Sequence, residues 1–270
     1  MSKLPHIGTT IFSVMSKMAT DFKAINLSQG FPNFPIDPIL LECYESAIHQ
    51  DVHQYAPMPG NPRLLEQISQ LIAKQYQRNC DASKELLITA GATQAIYTII
   101  QAFIYQGDEV IILDPCYDCY DPSILLAGGK PVHVALDAEY LPDWDKIEAA
   151  ITTKTKLLII NNPHNPSGRV WEAKEFEALK QLMAKHEQLY LLSDEVYEFI
   201  TFEKKHCSIN SIQALQNRSI IVSSFGKTFH ITGWKMGYVV APEYLSREVR
   251  KTHQFIVYSV NTPIQYALAD

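Results

Sequence analysis

Two patterns of apolar residues recur along most of this 270-residue chain. Residues 63–77 carry apolar side chains three and four positions apart, which is the spacing of one helix face. Short continuous apolar runs recur between such segments and are typical of strands buried on both faces. The predicted strands are 86–89, 109–113, 131–136, 156–160, 189–192 and 219–222, and further helices are predicted at 92–105, 117–126, 144–151, 174–185 and 246–260.

Strands that alternate with helices predict an α/β fold with a mostly parallel central sheet flanked by helices. Residues 1–60 contain several prolines and glycines, and we expect them to form an arm and loops rather than part of the core. The polar residues at the strand ends then become the main candidates for function, because ligands of parallel sheets bind at the carboxyl ends of the strands.

Composition and charge limit the partners and the cellular compartment that we expect for this protein. The net charge of −6 argues against nucleic acid as a partner, which calls for a basic surface. No uninterrupted apolar stretch reaches the roughly 18 residues of a membrane span, so no membrane partner is expected. An N-terminus without an apolar secretion signal and five scattered cysteines predict a reducing compartment, which we take to be the cytoplasm.

The first two strand ends carry small and aromatic residues. Gly91, Ala92 and Thr93 follow strand 86–89 and open a helix, whose free N–H groups could bind a phosphate, although a simple tight turn also fits. Tyr117 follows strand 109–113, where its ring could stack on a flat ligand. The neighbouring Cys116-x-x-Cys119 lacks the second pair that a zinc site requires, so no metal site is predicted.

The later strand ends carry an amide, a carboxylate and an amine. Asn165 lies between two prolines in a turn-rich segment, which suggests a rigidly held hydrogen-bonding group. Asp194 is either a buried carboxylate that needs a cationic partner or an ordinary helix cap. Lys227 lies in a Gly-Lys-Thr sequence, but Ile221 stands where a phosphate-binding P-loop requires glycine, which excludes a nucleotide hydrolase of that type.

Pyridoxal phosphate chemistry uses all of these groups together. It requires a lysine amine, a carboxylate at the ring nitrogen, an aromatic ring, hydrogen-bond donors and a phosphate cradle. The segments 26–32, 224–229 and 233–235 resemble those of the fold-type I pyridoxal-phosphate aminotransferases of classes I and II. The sequence is most similar to the methionine and aromatic (kynurenine-type) members of that family, and the similarity runs from residue 26 to the end.

The resemblance assigns a role to each candidate residue. It implies that Lys227 forms the Schiff base and moves the proton, that Asp194 pairs with the pyridinium nitrogen, and that Tyr197 and Asn165 hydrogen-bond the ring oxygen. Lys235 stands where many relatives have arginine, and it keeps the charge without the bidentate geometry. The remaining implied contacts are Tyr117 on the ring, Gly91, Ala92, Thr93, Ser224 and Lys235 on the phosphate, and Gly30 near the substrate carboxylate.

The resemblance also implies a homodimer, in which Tyr55 reaches the phosphate of the neighbouring subunit. Residues 1–45 would form the arm and part of a small domain, and 46–270 the large cofactor-binding domain. The rest of the small domain, with the arginine that holds the substrate α-carboxylate, is expected to be absent from this chain. None of the arginines in 1–270 falls in a matching motif.

The sequence therefore predicts an aminotransferase that moves the amino group of methionine or an aromatic amino acid to a 2-oxo acid. Two alternatives remain open. The same cofactor residues would serve a C–S lyase, because the fold does not determine the reaction. A truncated chain without activity is the other, because loss of a substrate-positioning group can cost about a hundredfold or more in rate.

Overall fold

The computed structural model describes residues 2–30 and 34–270 of the chain. Phe31 and Pro32, which belong to the first segment of the resemblance, lie outside the described residues. The strands are β1 (Leu86–Thr89), β2 (Glu109–Asp114), β3 (Lys130–Ala135), β4 (Thr155–Asn161), β5 (Tyr190–Asp194), β6 (Ser219–Ser224) and β7 (Gly237–Val240). The helices are α1 (Ile11–Asp21), α2 (Pro38–Ile48), α3 (Pro62–Tyr76), α4 (Ala82–Glu85), α5 (Gly91–Phe103), α6 (Tyr120–Leu126), α7 (Trp144–Ala150), α8 (Ala173–Lys185), α9 (Gln213–Gln216), α10 (Phe225–Thr228), α11 (Glu243–Ile256) and α12 (Thr262–Ala269).

The strands form one seven-stranded sheet in the order β1-β7-β6-β5-β4-β2-β3. The pairs from β3 across β2, β4 and β5 to β6 are parallel. Strand β7 runs antiparallel to both of its neighbours, β6 and β1. The predicted α/β fold with a mostly parallel sheet is confirmed, and the carboxyl ends of β4, β5 and β6 lie side by side.

Apolar side chains cover both faces of the sheet, which explains the continuous apolar runs in the sequence. Val110 and Ile112 of β2 belong to one buried cluster, and the alternating Ile111 and Leu113 belong to the other. Neighbouring residues of a strand point to opposite faces, so both must be apolar when helices cover both sides. Helices α5 and α11 pack into the first cluster and α3 and α8 into the second.

The N-terminal region and β7 differ from the sequence-based expectation. Within 1–60 the structure contains helices α1 and α2, which are capped by the side chains of Thr10 and Asp37, so the prediction of loops there was wrong. Strand β7 was not predicted, because its run is short and begins with a glycine. Helix α6 begins at Tyr120, later than predicted, and α11 spans Glu243–Ile256 instead of 246–260. The division into domains 1–45 and 46–270 stays a prediction.

None of the helices in the described ranges is both long and apolar enough to cross a membrane.

Candidate active site

The carboxyl ends of the central strands open into one cavity of about 1020 Å³. Strands β5 and β6 end at its wall, and the first turn of α5 lies beside them. Eleven of the residues predicted from the sequence line this cavity: Gly30, Gly91, Ala92, Thr93, Tyr117, Asn165, Asp194, Tyr197, Ser224, Lys227 and Lys235. The structure therefore brings together residues that are up to 205 positions apart in the numbering (235 − 30 = 205).

Asp194 ends β5 and is only 3% exposed. The hydroxyl of Tyr120 donates to its Oδ2 at 2.7 Å, and the backbone N–H of Val196 donates to its Oδ1 at 3.3 Å. Among the described residues, no lysine, arginine or histidine nitrogen lies within 4 Å of these oxygens. Burial raises the pKa of Asp194 to about 6. A buried carboxylate in this setting fits a ligand that brings its own cationic N–H group.

Lys227 lies on the short helix α10, directly after β6, and its side chain is half-buried. Burial lowers the pKa of its amine, and the charge of Asp194 opposes that shift. The Nζ atom lies 5.4 Å from the centre of the Tyr197 ring. Burial, reinforced by the charge of Asp194, raises the pKa of Tyr197 to about 12, so its phenol stays protonated and can donate a hydrogen bond.

A second part of the cavity has the properties of an anion site. Helix α5 begins at Gly91, and its N-cap makes no side-chain hydrogen bond, so N–H groups of the first turn remain free for a ligand. A methyl group on Gly237 of β7 would approach the carbonyl carbon of Gly91 to 3.0 Å, so only glycine fits there. Ser224 and Lys235 line the same cavity and add a hydroxyl and a charge.

The aromatic and amide residues are held by contacts that bridge several elements. The hydroxyl of Tyr117 shares a hydrogen bond of 3.1 Å with Thr93 Oγ1. The backbone N–H of Asn165 donates to Asn161 Oδ1 at 2.6 Å, and Asn161 Nδ2 donates to the carbonyl of Asp194 at 3.0 Å. Asn161 therefore fixes the Asn165 turn against the end of β5.

Three supporting side chains lie around the predicted residues. Sequence reasoning missed Tyr120 and Asn161, because nothing in the sequence indicates that they meet Asp194. His164 bridges Ser167 Oγ at 2.7 Å and the carbonyl of Pro115 at 2.9 Å, so it holds the segment around Asn165. In the described part of the chain, no cluster of histidine, cysteine and acidic residues is arranged to hold a metal ion.

Tyr55 lies away from the cavity, and the structure does not bring it together with the other predicted residues. Its side chain is 79% exposed and contacts Tyr258 edge-on, with ring centres 5.4 Å apart. Its role at a neighbouring subunit stays a prediction.

Comparison with known proteins places this site in a family. Residues 23–270 match the family model described as "Aminotransferase class I and II". The chain is 48% identical over 271 residues to the methionine aminotransferase of Escherichia coli K12, and it covers 70% of that protein. It is 35% identical over 280 residues to human kynurenine–oxoglutarate transaminase 3, of which it covers 62%.

Solved structures agree with the sequence comparison. A crystal structure from Escherichia coli with a methionine aminotransferase function superposes with a TM-score of 0.97 at 47% identity, over 100% of this chain and 71% of that one. N-succinyldiaminopimelate aminotransferase from Mycobacterium tuberculosis superposes with a TM-score of 0.95 at 36% identity, again over 100% and 71%. The chain, which spans between 62% and 71% of the length of these four relatives, belongs to the class I and II aminotransferases.

Proposed function

We propose that this chain is the cofactor-binding part of an aminotransferase that holds pyridoxal phosphate and transfers the amino group of methionine or an aromatic amino acid to a 2-oxo acid. The proposal rests on an amine and a carboxyl group that face the same cavity. A half-buried lysine amine at Lys227 faces the same space as the buried carboxyl of Asp194, which lacks a cationic partner among the described side chains.

The residues of the cavity fit pyridoxal phosphate. The Asp194 carboxylate would accept a hydrogen bond from the protonated ring nitrogen, and Tyr117 would lie on the ring face. Tyr197 and Asn165 would donate to the ring oxygen. The phosphate would bind at the start of α5, with Lys235 as a further charge, because helix N-termini bind anions. The supporting contacts of Tyr120 and Asn161 keep the carboxylate and the amide in place.

Lys227 is the residue suited to move a proton. Burial lowers the pKa of its amine, so the unprotonated form that can accept a proton from the substrate Cα is easier to reach near neutral pH. The protonated Tyr197 phenol is a hydrogen-bond donor beside this amine. Bound pyridoxal phosphate supplies an aldehyde that condenses with amines and a ring that withdraws electrons from the substrate Cα.

Gly30 lies on the cavity wall together with Ser28 and Gln29, which supports the proposed contact near the substrate carboxylate.

We propose in addition that two copies associate, with Tyr55 of one reaching the phosphate held by the other. Its high exposure leaves it available for that contact. The cytoplasmic location stays a prediction.

The experiment uses the full chain with added pyridoxal phosphate. Borohydride reduction followed by peptide mass spectrometry is expected to find the pyridoxyl adduct on Lys227. In a separate, unreduced sample, L-methionine alone should bleach the aldehyde band of the cofactor, and a 2-oxo acid added afterwards should restore the band and yield the new amino acid. Lys227→Ala should lose the adduct and the transfer, whereas the control Lys130→Ala, whose lysine is 69% exposed and pairs with Glu109, should keep both.

Three results would contradict the proposal. An adduct on another lysine would overturn the site. Release of ammonia and a 2-oxo acid from a sulfur amino acid, without any acceptor, would identify a C–S lyase instead. Normal cofactor binding without turnover of any common amino acid would identify an inactive chain.

A further inference from the structure

The turn that follows β5 carries a second buried carboxyl group that the proposed chemistry does not use. Glu198 is 6% exposed and comes directly after Tyr197, which lines the cavity, whereas Glu198 does not. Its Oε1 accepts hydrogen bonds from the hydroxyls of Tyr238, at 3.0 Å, and of Ser223. Its Oε2 accepts a hydrogen bond from the hydroxyl of Tyr76.

One of these contacts, from Ser223, reaches β6, the strand that leads into the helix of the reactive lysine. Ser223 lies on β6, is 2% exposed, and precedes Ser224, which lines the cavity. Successive side chains of a strand point to opposite faces, so Ser223 points away from the cavity. The bond between Glu198 and Ser223 therefore joins, behind the cavity wall, the turn that presents Tyr197 to the strand end that leads into Lys227.

The protonation states strengthen this link. Burial and the charge of Glu198 raise the pKa values of Tyr76 and Tyr238, so both phenols keep the protons that they donate. Burial also raises the pKa of Glu198 itself, whereas the hydrogen bonds from Ser223 and Tyr76 oppose that shift and favour the carboxylate. Hydrogen bonds to an ionised acceptor are about twice as strong as neutral ones. The turn is closed locally as well, because the backbone N–H of Glu198 donates to the carbonyl of Glu195 at 2.9 Å.

We propose that Glu198 and Ser223 are positioning residues, whose hydrogen bond behind the cavity sets the separation of Tyr197 and Lys227 and thereby the reactivity of the Lys227 amine toward an aldehyde. The meaning of this link for catalysis rests on the proposed function. The positioning itself concerns the protein without cofactor as well, so it can be tested separately.

Ser223→Ala removes the link and leaves Glu198 its two tyrosine donors, so the fold should persist. The matched control is Ser219→Ala. Ser219 lies on the same strand and the same face, is fully buried, and donates one hydrogen bond, to the carbonyl of Leu215 at 2.6 Å. The two variants therefore remove equivalent hydroxyl groups at opposite ends of β6.

The measurement is the rate of reductive methylation of Lys227 by formaldehyde, with cyanoborohydride as the hydride donor, in the cofactor-free full chain. Mass spectrometry follows the reaction across a pH series. Once the turn loosens in Ser223→Ala, the amine gains water, and its pH midpoint should rise toward that of an exposed lysine. At neutral pH this makes methylation about threefold slower, which corresponds to roughly half a pKa unit. Ser219→Ala should keep the wild-type midpoint, and Ser223→Thr should restore it.

Glu198→Gln is the second variant, because it keeps the side chain's size and removes the charge that receives three hydroxyl donors. It should shift the midpoint in the same direction as Ser223→Ala. The proposal is overturned if Ser223→Ala and Ser219→Ala give the same midpoint, whether or not Glu198→Gln folds. A wild-type chain that binds no pyridoxal phosphate, together with a midpoint shifted in Ser223→Ala, would refute the proposed function and leave the positioning role intact.

Discussion

The carboxyl group of Asp194 has a pKa that burial raises from 3.8 to about 6. In the unfolded chain the same group would titrate near 3.8, so between these values the folded protein binds more protons than the unfolded one. Stability contributed by this group is then fully present below pH 3.8 and is lost as the pH rises through about 6. At neutral pH the cofactor-free protein therefore contains a carboxylate that weakens the fold.

Asp194→Asn should stabilise the cofactor-free chain at neutral pH, because an amide of the same shape can still accept from Tyr120 without carrying a buried charge. The shift from 3.8 to about 6 sets an upper limit of about 3 kcal/mol on the gain in unfolding free energy. Urea unfolding across a pH series measures it, and the difference from wild type should shrink toward pH 4. The same variant should lose affinity for pyridoxal phosphate.

The matched control is Asp143→Asn. The side chain of Asp143 caps α7 and pairs with Lys146, which lowers its pKa, so this variant should not be stabilised at neutral pH. A gain at Asp194 that does not depend on pH, or no gain, would contradict the electrostatic explanation.

Single residues differed in how far the sequence could predict them. Lys227 and Asp194 were identifiable because each follows an apolar strand, and strand ends of a parallel sheet share one edge. Tyr120 and Glu198 were not, because their importance arises from hydrogen bonds to residues 74 and 25 positions away. Periodicity shows which positions are buried, but it does not show which buried polar groups meet.

At the scale of elements, β7 is a strand that the pattern of apolar residues did not predict. Its run from Gly237 to Val240 is short, and it begins with a glycine, which is a weak strand former. It becomes a strand because β1 and β6 pair with it on either side. The long buried strands β2 and β4 were predicted almost to their ends, since their apolar runs are continuous.

Gly237→Ala tests how β7 supports the start of α5. The added methyl group would lie 2.8 Å from the carbonyl oxygen of Ser223 and 3.1 Å from the backbone nitrogen of Ala92, and neither can yield without backbone movement. We expect a loss of about 1–3 kcal/mol in unfolding free energy, as for other overpacked sites. Affinity for pyridoxal phosphate should fall by about tenfold or more, because each tenfold requires only about 1.4 kcal/mol of misplaced contacts.

Calorimetric titration with pyridoxal phosphate and urea unfolding measure the two effects. Gly8→Ala is the control, since its methyl group meets nothing within 4 Å and Gly8 does not line the cavity, so both stability and affinity should stay unchanged. Wild-type affinity in Gly237→Ala would show that the α5 turn does not depend on β7.

At the scale of the whole molecule, the proposed association of two copies depends on an exposed pair of aromatic side chains. Tyr55 and its neighbour Tyr258 form a pair on the surface, 79% and 46% exposed. If this surface forms a symmetric interface between two copies, each site contains Lys227 from one copy and Tyr55 from the other. Two defective variants would then restore one complete site when they meet in a hybrid dimer.

Tyr55→Ala and Lys227→Ala should each lack the borohydride-reduced pyridoxyl adduct when assayed alone. The two variants are then mixed in equal amounts. In a hybrid dimer, the Tyr55→Ala chain keeps its own lysine and receives an intact Tyr55 from the Lys227→Ala chain. Random pairing places half of these chains in hybrids, so their adduct should rise to about half of the wild-type level. Mass spectrometry distinguishes the two chains. Tyr105→Ala, which removes a tyrosine that is 73% exposed, should form the adduct alone. A monomeric chain on gel filtration, or dimers without recovery after mixing, would show that each site is complete within one copy.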